Sequence, residues 1–472
     1  MIFSRSENKL IALIVAGAFF MQHLDSSIIA TSLPQMALSF HVCALDLSLG
    51  ITIYLLSAAA FVPLSGWLAN RHGARNVFLL AIAVFTFASL VCGVATSLWQ
   101  FVMARAIQGI GGALMAPVGR MVVLRNTTKE NLLHATALIT WPALAAPVIG
   151  PALGGFITTY ISWRWNFFLN MPLGVIGMIL ALKFIPNVRD DEPRDLDWQG
   201  FFLSAAALVA LLYGMESFAH LHNAWQQPLL ITAMGAMLAV WCVHHLHQVN
   251  HPLVDLASLR VPTYAISTIH SGFFIRAVIS ATPFLLPLLF QLGFGLSAWA
   301  SGTLVLVYFL GNFGIKPATT PALKRFGFRT VLIVNGIAVA ASLMALGFFS
   351  NTSPRWLLMV VLLFAGVVRS LQFTCLNTLA FADVADTQRG SAATLSSMLN
   401  QVSSVTGVAL GALLLSVAQH FNPDAGNNSG AELFDFRVAF VITGLIALVA
   451  ALAFARLPRD AGTAVSGHRA NR

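Results

Sequence analysis

The sequence predicts an all-α polytopic membrane protein of about fourteen transmembrane helices. Mean hydropathy is +0.80 over 472 residues, and no single core could hide that much apolar surface from water, so the chain lives in a bilayer. The apolar residues come in recurrent blocks of about 20, each long enough at about 1.5 Å per residue to cross roughly 30 Å of hydrocarbon. Within a block they run on without the alternation that a barrel strand would show, which points to helices.

The blocks lie near 11–31, 48–68, 77–96, 98–121, 133–158, 165–185, 199–219, 227–247, 264–290, 299–315, 330–349, 356–380, 391–418 and 437–456. The first lacks a small-residue cleavage site of the A-x-A kind directly behind it, so it is expected to stay as an anchor. The longest links, around 186–198, 248–263 and 419–436, are too short to fold alone. The net charge of +9 would suit a nucleic-acid binder, but the charges sort by side. With the N-terminus in the cytoplasm, Arg5, Lys9, Arg71, Arg75, Arg125, Lys129, Arg189, Arg194, Arg260, Lys324, Arg325, Arg329, Arg389, Arg456 and Arg459 fall on the inner side. The outer links keep only Arg164, Arg355 and Arg437. This positive-inside bias places both termini in the cytoplasm and assigns the surplus charge to topology, not to nucleic acid.

Taken in order, the spans carry few polar groups, and each ionisable one inside a membrane is a functional candidate. Span 1 holds Asp25, the only acid well inside a span. Burial favours the neutral carboxyl and a nearby cation the charged one, so such a group can take up and release a proton within a cycle. The competing reading gives Asp25 a structural hydrogen-bonding role near the outer end. After span 2 comes Arg71-x-Gly73-x-Arg75, and after span 10 the same template returns as Arg325-x-Gly327-x-Arg329. Span 4 carries Arg105 and Gln108 ahead of Gly109, Gly111 and Gly112, glycines that let a neighbouring helix come close. Arg120, nearer the inner end, is explained as well by snorkelling as by function. Span 5 combines Pro147, Gly150, Pro151, Gly154 and Gly155, a pattern for a bent and tightly packed helix.

Spans 9 and 12 place Arg276 and Arg369 near their middles, with Gln372 and Asn377 following. Interior cations (Arg105, Arg120, Arg276, Arg369) thus outnumber interior acids (Asp25 and the near-terminal Glu216). A cavity with surplus fixed cations would favour an anionic solute; the plainer alternative pairs these arginines with backbone carbonyls and helix C-termini. Gln291, Asn312, Asn400 and Gln401 could line a path or simply tie helices together.

The repeated R-x-G-x-R turns are the mark of an internally duplicated chain. Six spans per half would put the second copy after span 8. It follows span 10, so spans 199–219 and 227–247 are read as an insert. The expected organisation is a six-helix bundle over 1–190, a two-helix insert over 191–258, a second six-helix bundle over 259–460 and a cytoplasmic tail over 461–472. Cys43, Cys92, Cys242 and Cys375 form no CxxC pair, so neither zinc nor a disulfide framework is suggested. His244, His247 and His251 read as an interfacial cluster, not a metal site. No Walker loop or catalytic acid, base and nucleophile set appears, so neither ATP-driven transport nor an enzyme is expected.

Gly66, Leu68, Arg71, Gly73 and Arg75 resemble the loop motif of the major facilitator superfamily. "LDSSIIATSLP", "RAIQGIGGA", "PVIGPALGG" and "SWRWNFFLNMPLG" resemble, in order, the span-1, span-4, span-5 and span-6 signatures of its fourteen-span drug:proton antiporters, and the likeness runs over the whole chain. The resemblance implies a major facilitator fold and export of small organic molecules across the inner membrane in exchange for protons. It gives Arg105 a part in proton relay, assigns the R-x-G-x-R turns to the inner gate and makes the span-5 motif a signature of export. The proton gradient is then the energy source, with no bound cofactor, no metal and no obligatory protein partner. Two departures stand out: Asn70 where the family usually has Asp, and Ala146 where it has Gly. The usual Asp joins a charge network that locks the outward-open state; Asn70 can still accept a helix-terminal N–H, with weaker electrostatics. Two alternatives stay open: an exporter of organic anions such as a citrate-like carboxylate or its metal chelate, and a non-transporting sensor or scaffold.

Overall fold

The computed structural model describes residues 5–125, 132–187, 196–219, 226–249, 252, 256–385, 388–421, 431–458 and 460–466. Lys129, Arg189, Arg194, His251 and Arg459 lie outside these, as do the side chains of Arg5, Arg125, Glu216 and Arg389. The described residues form helices and connecting turns, and the chain divides into two compact units, Met1–Ala205 and Ala206–Arg472.

The first unit contains α1 (Arg5–Phe40), α2 (Ser48–His72), α3 (Ala74–Val94), α4 (Leu98–Arg125), α5 (Leu132–Tyr160), the single turn α6 (Trp165–Phe168), α7 (Asn170–Phe184) and the start of α8 (Trp198–Ala219). The second contains the rest of α8, then α9 (Gln226–Gln248), α10 (Pro262–Thr268), α11 (Ser271–Leu288), α12 (Ala298–Gly314), α13 (Lys316–Gly347), α14 (Arg355–Ala382), α15 (Arg389–His420), α16 (Leu433–Ala453) and the short α17 (Thr463–Ser466). Among the described residues, twelve helical segments are long and apolar enough to cross a membrane; the apolar helices Trp198–Gly214 and Ala298–Gly314 are shorter. Every expected block falls on one of these segments, but α12, at 17 residues, rises only about 26 Å, short of a hydrocarbon core.

Several helices overrun their apolar blocks, because a polar end costs a helix little once it leaves hydrocarbon. α1 has 36 residues. α13 has 32 and reaches back over the expected inner link to Lys316. The link survives inside it as a break at Gly327, with φ 71° and ψ 164°. Its counterpart Gly73, with φ 91° and ψ 136°, separates α2 from α3. Both glycines of the repeated template therefore sit at positive φ, where a Cβ is strained. The start of α16 is fixed by a reciprocal capping box between Glu432 and Asp435, and that of α12 by Ser297, whose Oγ accepts from the Ala300 N–H at 3.2 Å. α11 carries Pro283 and Pro287 and runs into a π-helical segment, Leu289–Gly293.

The duplication is visible in the packing within each unit. In the first, α1 packs on α5 and α7, α2 on α4, and α3 on α4 and α7. In the second, α11 packs on α15 and α16, α12 on α14, and α13 on α14 and α16. Small residues sit at the closest approaches. A Cβ on Gly109 of α4 would strike the carbonyl of Tyr54 in α2, and one on Gly366 of α14 would strike the carbonyl of Tyr308 in α12. Close backbone approach of this kind is how helices gain dispersion contacts in lipid, which offers no hydrophobic driving force. The first unit buries Phe19, Phe78, Phe85, Met115, Val118 and Ile185 in one cluster, and the second buries Tyr264, Ala380, Val384, Ala392 and Leu395 in another. Phe87, Leu182, Val240 and Leu452 stand exposed, as lipid-facing residues do.

Candidate functional site

Within the first unit, Asp25 and Arg105 are brought together as a buried ion pair. Arg105 Nη1 donates to Asp25 Oδ2 at 2.7 Å, and the side chains are each 1% exposed. Three helices besides α1 and α4 close the site. Gln108 Nε2 donates to Asp25 Oδ1 at 2.9 Å and to Ser89 Oγ of α3 at 2.7 Å. Asn170 Nδ2, at the first position of α7, donates to Asp25 Oδ1 at 2.8 Å and to the same Ser89 oxygen at 3.1 Å. Arg105 also donates through Nη1 to Gln108 Oε1 and through Nε to the Gly50 carbonyl at 3.3 Å, and its guanidinium lies 4.3 Å from the ring centroid of Tyr54.

The local sequence explains the convergence. Arg105 and Gln108 are three apart, so they share a face of α4. The glycines after them allow α2 and α3 to approach: a Cβ on Gly111 would come within 2.8 Å of the Phe85 backbone nitrogen, and one on Gly112 within 2.8 Å of the Tyr54 hydroxyl. In a dry interior an unpaired charge would be very costly, and each ion here is matched by its opposite and by neutral donors or acceptors. Chemically, this is a carboxylate held in a closed network whose charge balance changes if one proton arrives. Asn170 and Ser89 were not singled out from the sequence, although Asn170 lies in the quoted "SWRWNFFLNMPLG" segment. Polarity in an apolar run was the only available signal.

The span-5 motif packs on α1. A Cβ on Gly150 would strike the Ser27 side chain, and one on Gly154 would come within 2.8 Å of Ile28 Cγ2. Pro147 and Pro151 lie inside α5, Gly155 is buried beside Gly154, and Ser27 Oγ donates to the Ala146 carbonyl at 3.4 Å. At the R-x-G-x-R template, Arg71 is exposed and lies over Trp67 (5.3 Å), while Arg75 is half-buried and Gly73 faces the Asn187 side chain. Gly66 and Asn70 occupy the last two turns of α2. In the second copy, Arg325 lies over Phe326 and Arg329 Nη2 donates to the Ala455 carbonyl at 2.8 Å, a carbonyl-end contact within its own unit. Arg120 is exposed, with its guanidinium 6.0 Å from the Phe19 ring.

The four residues expected together in the second half separate into three places. Arg276 of α11, 2% exposed, donates through Nη1 to Asn400 Oδ1 of α15 and through Nη2 to Asn377 Oδ1 of α14 at 3.0 Å. Gln372 is taken up elsewhere: its Oε1 accepts from Asn335 Nδ2 at 2.8 Å and its Nε2 donates to the Leu332 carbonyl at 3.2 Å, tying α14 to α13. Arg369 lies over Tyr308 and Phe309, 5.6 and 5.5 Å from the ring centroids. Near it stands Lys316, which sequence reasoning passed over because it falls at a span edge; its Nζ donates to Thr374 Oγ1 at 2.9 Å.

The two units thus repeat one motif with a different charge. Arg105 stacks on Tyr54 beside Gly109, and Arg369 stacks on Tyr308 beside Gly366, each on the corresponding helix pair. Arg105 has Asp25. Among the described residues, neither Arg369 nor Arg276 has a carboxylate partner.

The major facilitator superfamily model matches residues 15–408 and again 268–471. A protein named for multidrug resistance, MdtD of Enterobacter sp. (strain 638), is 35% identical over 451 residues, covering 95% of this chain and 94% of the relative. The fold is similar to that of a POT family transporter crystallised with 5-aminolevulinic acid (TM-score 0.70, 12% identity, 96% of each chain). It is also similar to that of a D-xylose–proton symporter (TM-score 0.68, 15% identity, 96% of this chain and 98% of that one). With a family model over most of its length and a relative aligned nearly end to end, the chain belongs to the major facilitator superfamily and is a membrane transporter, not an enzyme.

Proposed function

We propose that this transporter exports small organic molecules across the bacterial inner membrane in exchange for protons, with Asp25 as the proton-accepting group. The observation that carries the reading is the buried Asp25–Arg105–Gln108 network. Protonation of Asp25 cancels the ion pair and leaves Arg105 with Gln108, the Gly50 carbonyl and the Tyr54 ring. Loss of the proton restores the pair. Making or breaking such a pair is worth about 3–5 kcal/mol, enough to shift a two-state equilibrium by more than a hundredfold. That is the size of bias a rocking mechanism requires of its coupling ion.

In this reading fourteen spans cross the membrane, with both termini cytoplasmic. Two six-helix bundles over 1–190 and 259–460 rock about a central site, and the 191–258 helices form the insert. Gly73 and Gly327 act as inner-side hinges of the gate turns, with Asn70, Arg71, Arg75, Arg325 and Arg329 around them. The name of the MdtD relative supports drug-like cargo. The proton gradient supplies the energy, with no bound cofactor and no obligatory protein partner.

The test is proton movement in proteoliposomes loaded with a pH-sensitive dye and challenged with lipophilic cations and small carboxylates. Cargo-dependent proton flux that loses its pH dependence in Asp25→Asn is expected. Silence to every cargo, or an unchanged pH profile in that variant, would overturn the reading.

A further inference from the structure

The two units treat their buried arginines differently, and the difference points to a ligand. Arg105 carries its counter-ion within the protein. Arg276 is as deeply buried yet, among the described residues, meets only neutral amide oxygens, those of Asn377 and Asn400. Its Nε is buried with no hydrogen-bond partner. A guanidinium held this way keeps its full positive charge in a low-dielectric interior, where an uncompensated ion costs several kcal/mol. Replacing such a residue with an apolar one would be the cheaper solution for stability alone.

The surrounding geometry favours an oxyanion. Asn377 and Asn400 each spend the amide oxygen on Arg276, and among the described residues neither Nδ2 makes a hydrogen bond, so both amides keep their donors. Both asparagines are half-buried, whereas Arg276 is buried. Along the same α11–α15 seam, one turn further on, Ser280 Oγ donates to Ser404 Oγ at 3.1 Å. A planar guanidinium flanked by amide N–H donors matches the fork of a carboxylate better than it matches a spherical anion.

We infer that Arg276, Asn377 and Asn400 form the seat for a carboxylate group of the transported solute, which completes the charge balance that this unit lacks. The inference rests on the transport reading, since it makes the bound anion the cargo. It also narrows that reading: a purely cationic drug would meet a cation at this seat, whereas a carboxylate-bearing or zwitterionic one would be held.

The experiment is isothermal titration of the purified full-length protein in detergent micelles with benzoate and with succinate, with inorganic phosphate, chloride and tetraphenylphosphonium as comparators. Saturable binding of a carboxylate is expected, with affinity at least about tenfold weaker in Arg276→Gln and only partly recovered in Arg276→Lys, which keeps the charge but not the fork. Asn377→Leu and Asn400→Leu keep the charge but remove an amide donor together with the oxygen that positions Arg276; a several-fold loss is expected in both. They carry the test if Arg276→Gln elutes misfolded. No carboxylate binding to the unaltered protein, equal affinity in the variants, or equally strong displacement by phosphate or chloride would each overturn the inference. Because micelles hold no gradient, carboxylate binding alongside silent proteoliposomes would count against proton coupling and leave the seat standing.

Discussion

Removing the charge of Asp25 should destabilise the first unit by an amount that the network makes calculable. The carboxylate accepts from Arg105 at 2.7 Å, Gln108 at 2.9 Å and Asn170 at 2.8 Å. Asparagine has the same shape but one acceptor oxygen, so at least one of these donors must face an N–H, and Arg105 is left as a buried cation. Breaking one side of a buried pair costs about 3–5 kcal/mol. Arg105→Gln should cost a similar amount, because it leaves the carboxylate buried without its cation. In the double variant neither charge remains, so the two losses should not add, and a coupling energy of about 2–3 kcal/mol is expected. The measurement is a double-mutant cycle on equilibrium unfolding in mixed micelles. Losses that add to within about 0.5 kcal/mol would refute the argument, since the two groups would then be acting independently.

The close helix approaches make a second prediction: Gly109→Ala and Gly366→Ala should each cost about 1–3 kcal/mol, because a Cβ meets backbone carbonyl rather than a movable side chain. Gly17→Ala, with nothing within 4 Å of its Cβ among the described residues, should be neutral or mildly stabilising in the same equilibrium unfolding measurement. Cys43 is the exposed cysteine of the four and lies between α1 and α2, and burial, followed by the nearby Asp46 carboxylate, raises its thiol pKa. Less thiolate is therefore present at mildly alkaline pH, so Asp46→Asn should speed its reaction with a membrane-impermeant maleimide. Labelling from outside intact cells checks the orientation as well; labelling only after permeabilisation would reverse the assigned topology.

The membrane spans were legible because hydropathy is additive along a helix and each span declares itself without reference to its neighbours. The repeated turn was legible for a similar reason: Gly73 and Gly327 announce positive φ locally. The site was legible only in part. Asp25, Arg105 and Gln108 stand out as polar groups in apolar runs, and the three-residue spacing of the last two is a helical one. Their meeting with Ser89 and Asn170 depends on which helices pack together, and those partners lie 19 and 145 residues away from the groups they bond. In the second unit the same limit misled. Arg369, Gln372 and Asn377 share one helix with Arg276 opposite, yet their side chains leave it toward Phe309, Asn335 and Arg276 respectively. A linear reading sees three polar residues in one span; the helix turns about 100° per residue and deals them to different neighbours.

A duplicated fold would be expected to inherit a duplicated polar site, and on the proposed reading the divergence of the two copies separates the tasks a coupled transporter must perform. Both units keep an arginine stacked on a tyrosine at the closest approach of equivalent helices. Among the described residues only one of these arginines, Arg105, has a carboxylate partner, Asp25. A unit whose charges cancel internally responds to a proton, because one proton upsets the balance. A unit whose charges do not cancel responds to an anion, because only an added negative group can restore it. If both units held acid–arginine pairs, two protons would compete for equivalent sites and no residue would be left to sense anionic cargo. If neither did, no buried carboxylate would stand against an arginine for a gradient to act upon. On the proposed reading, a charge-paired arginine in the first unit and, in the second, an arginine with no carboxylate partner among the described residues give proton and solute separate places to bind.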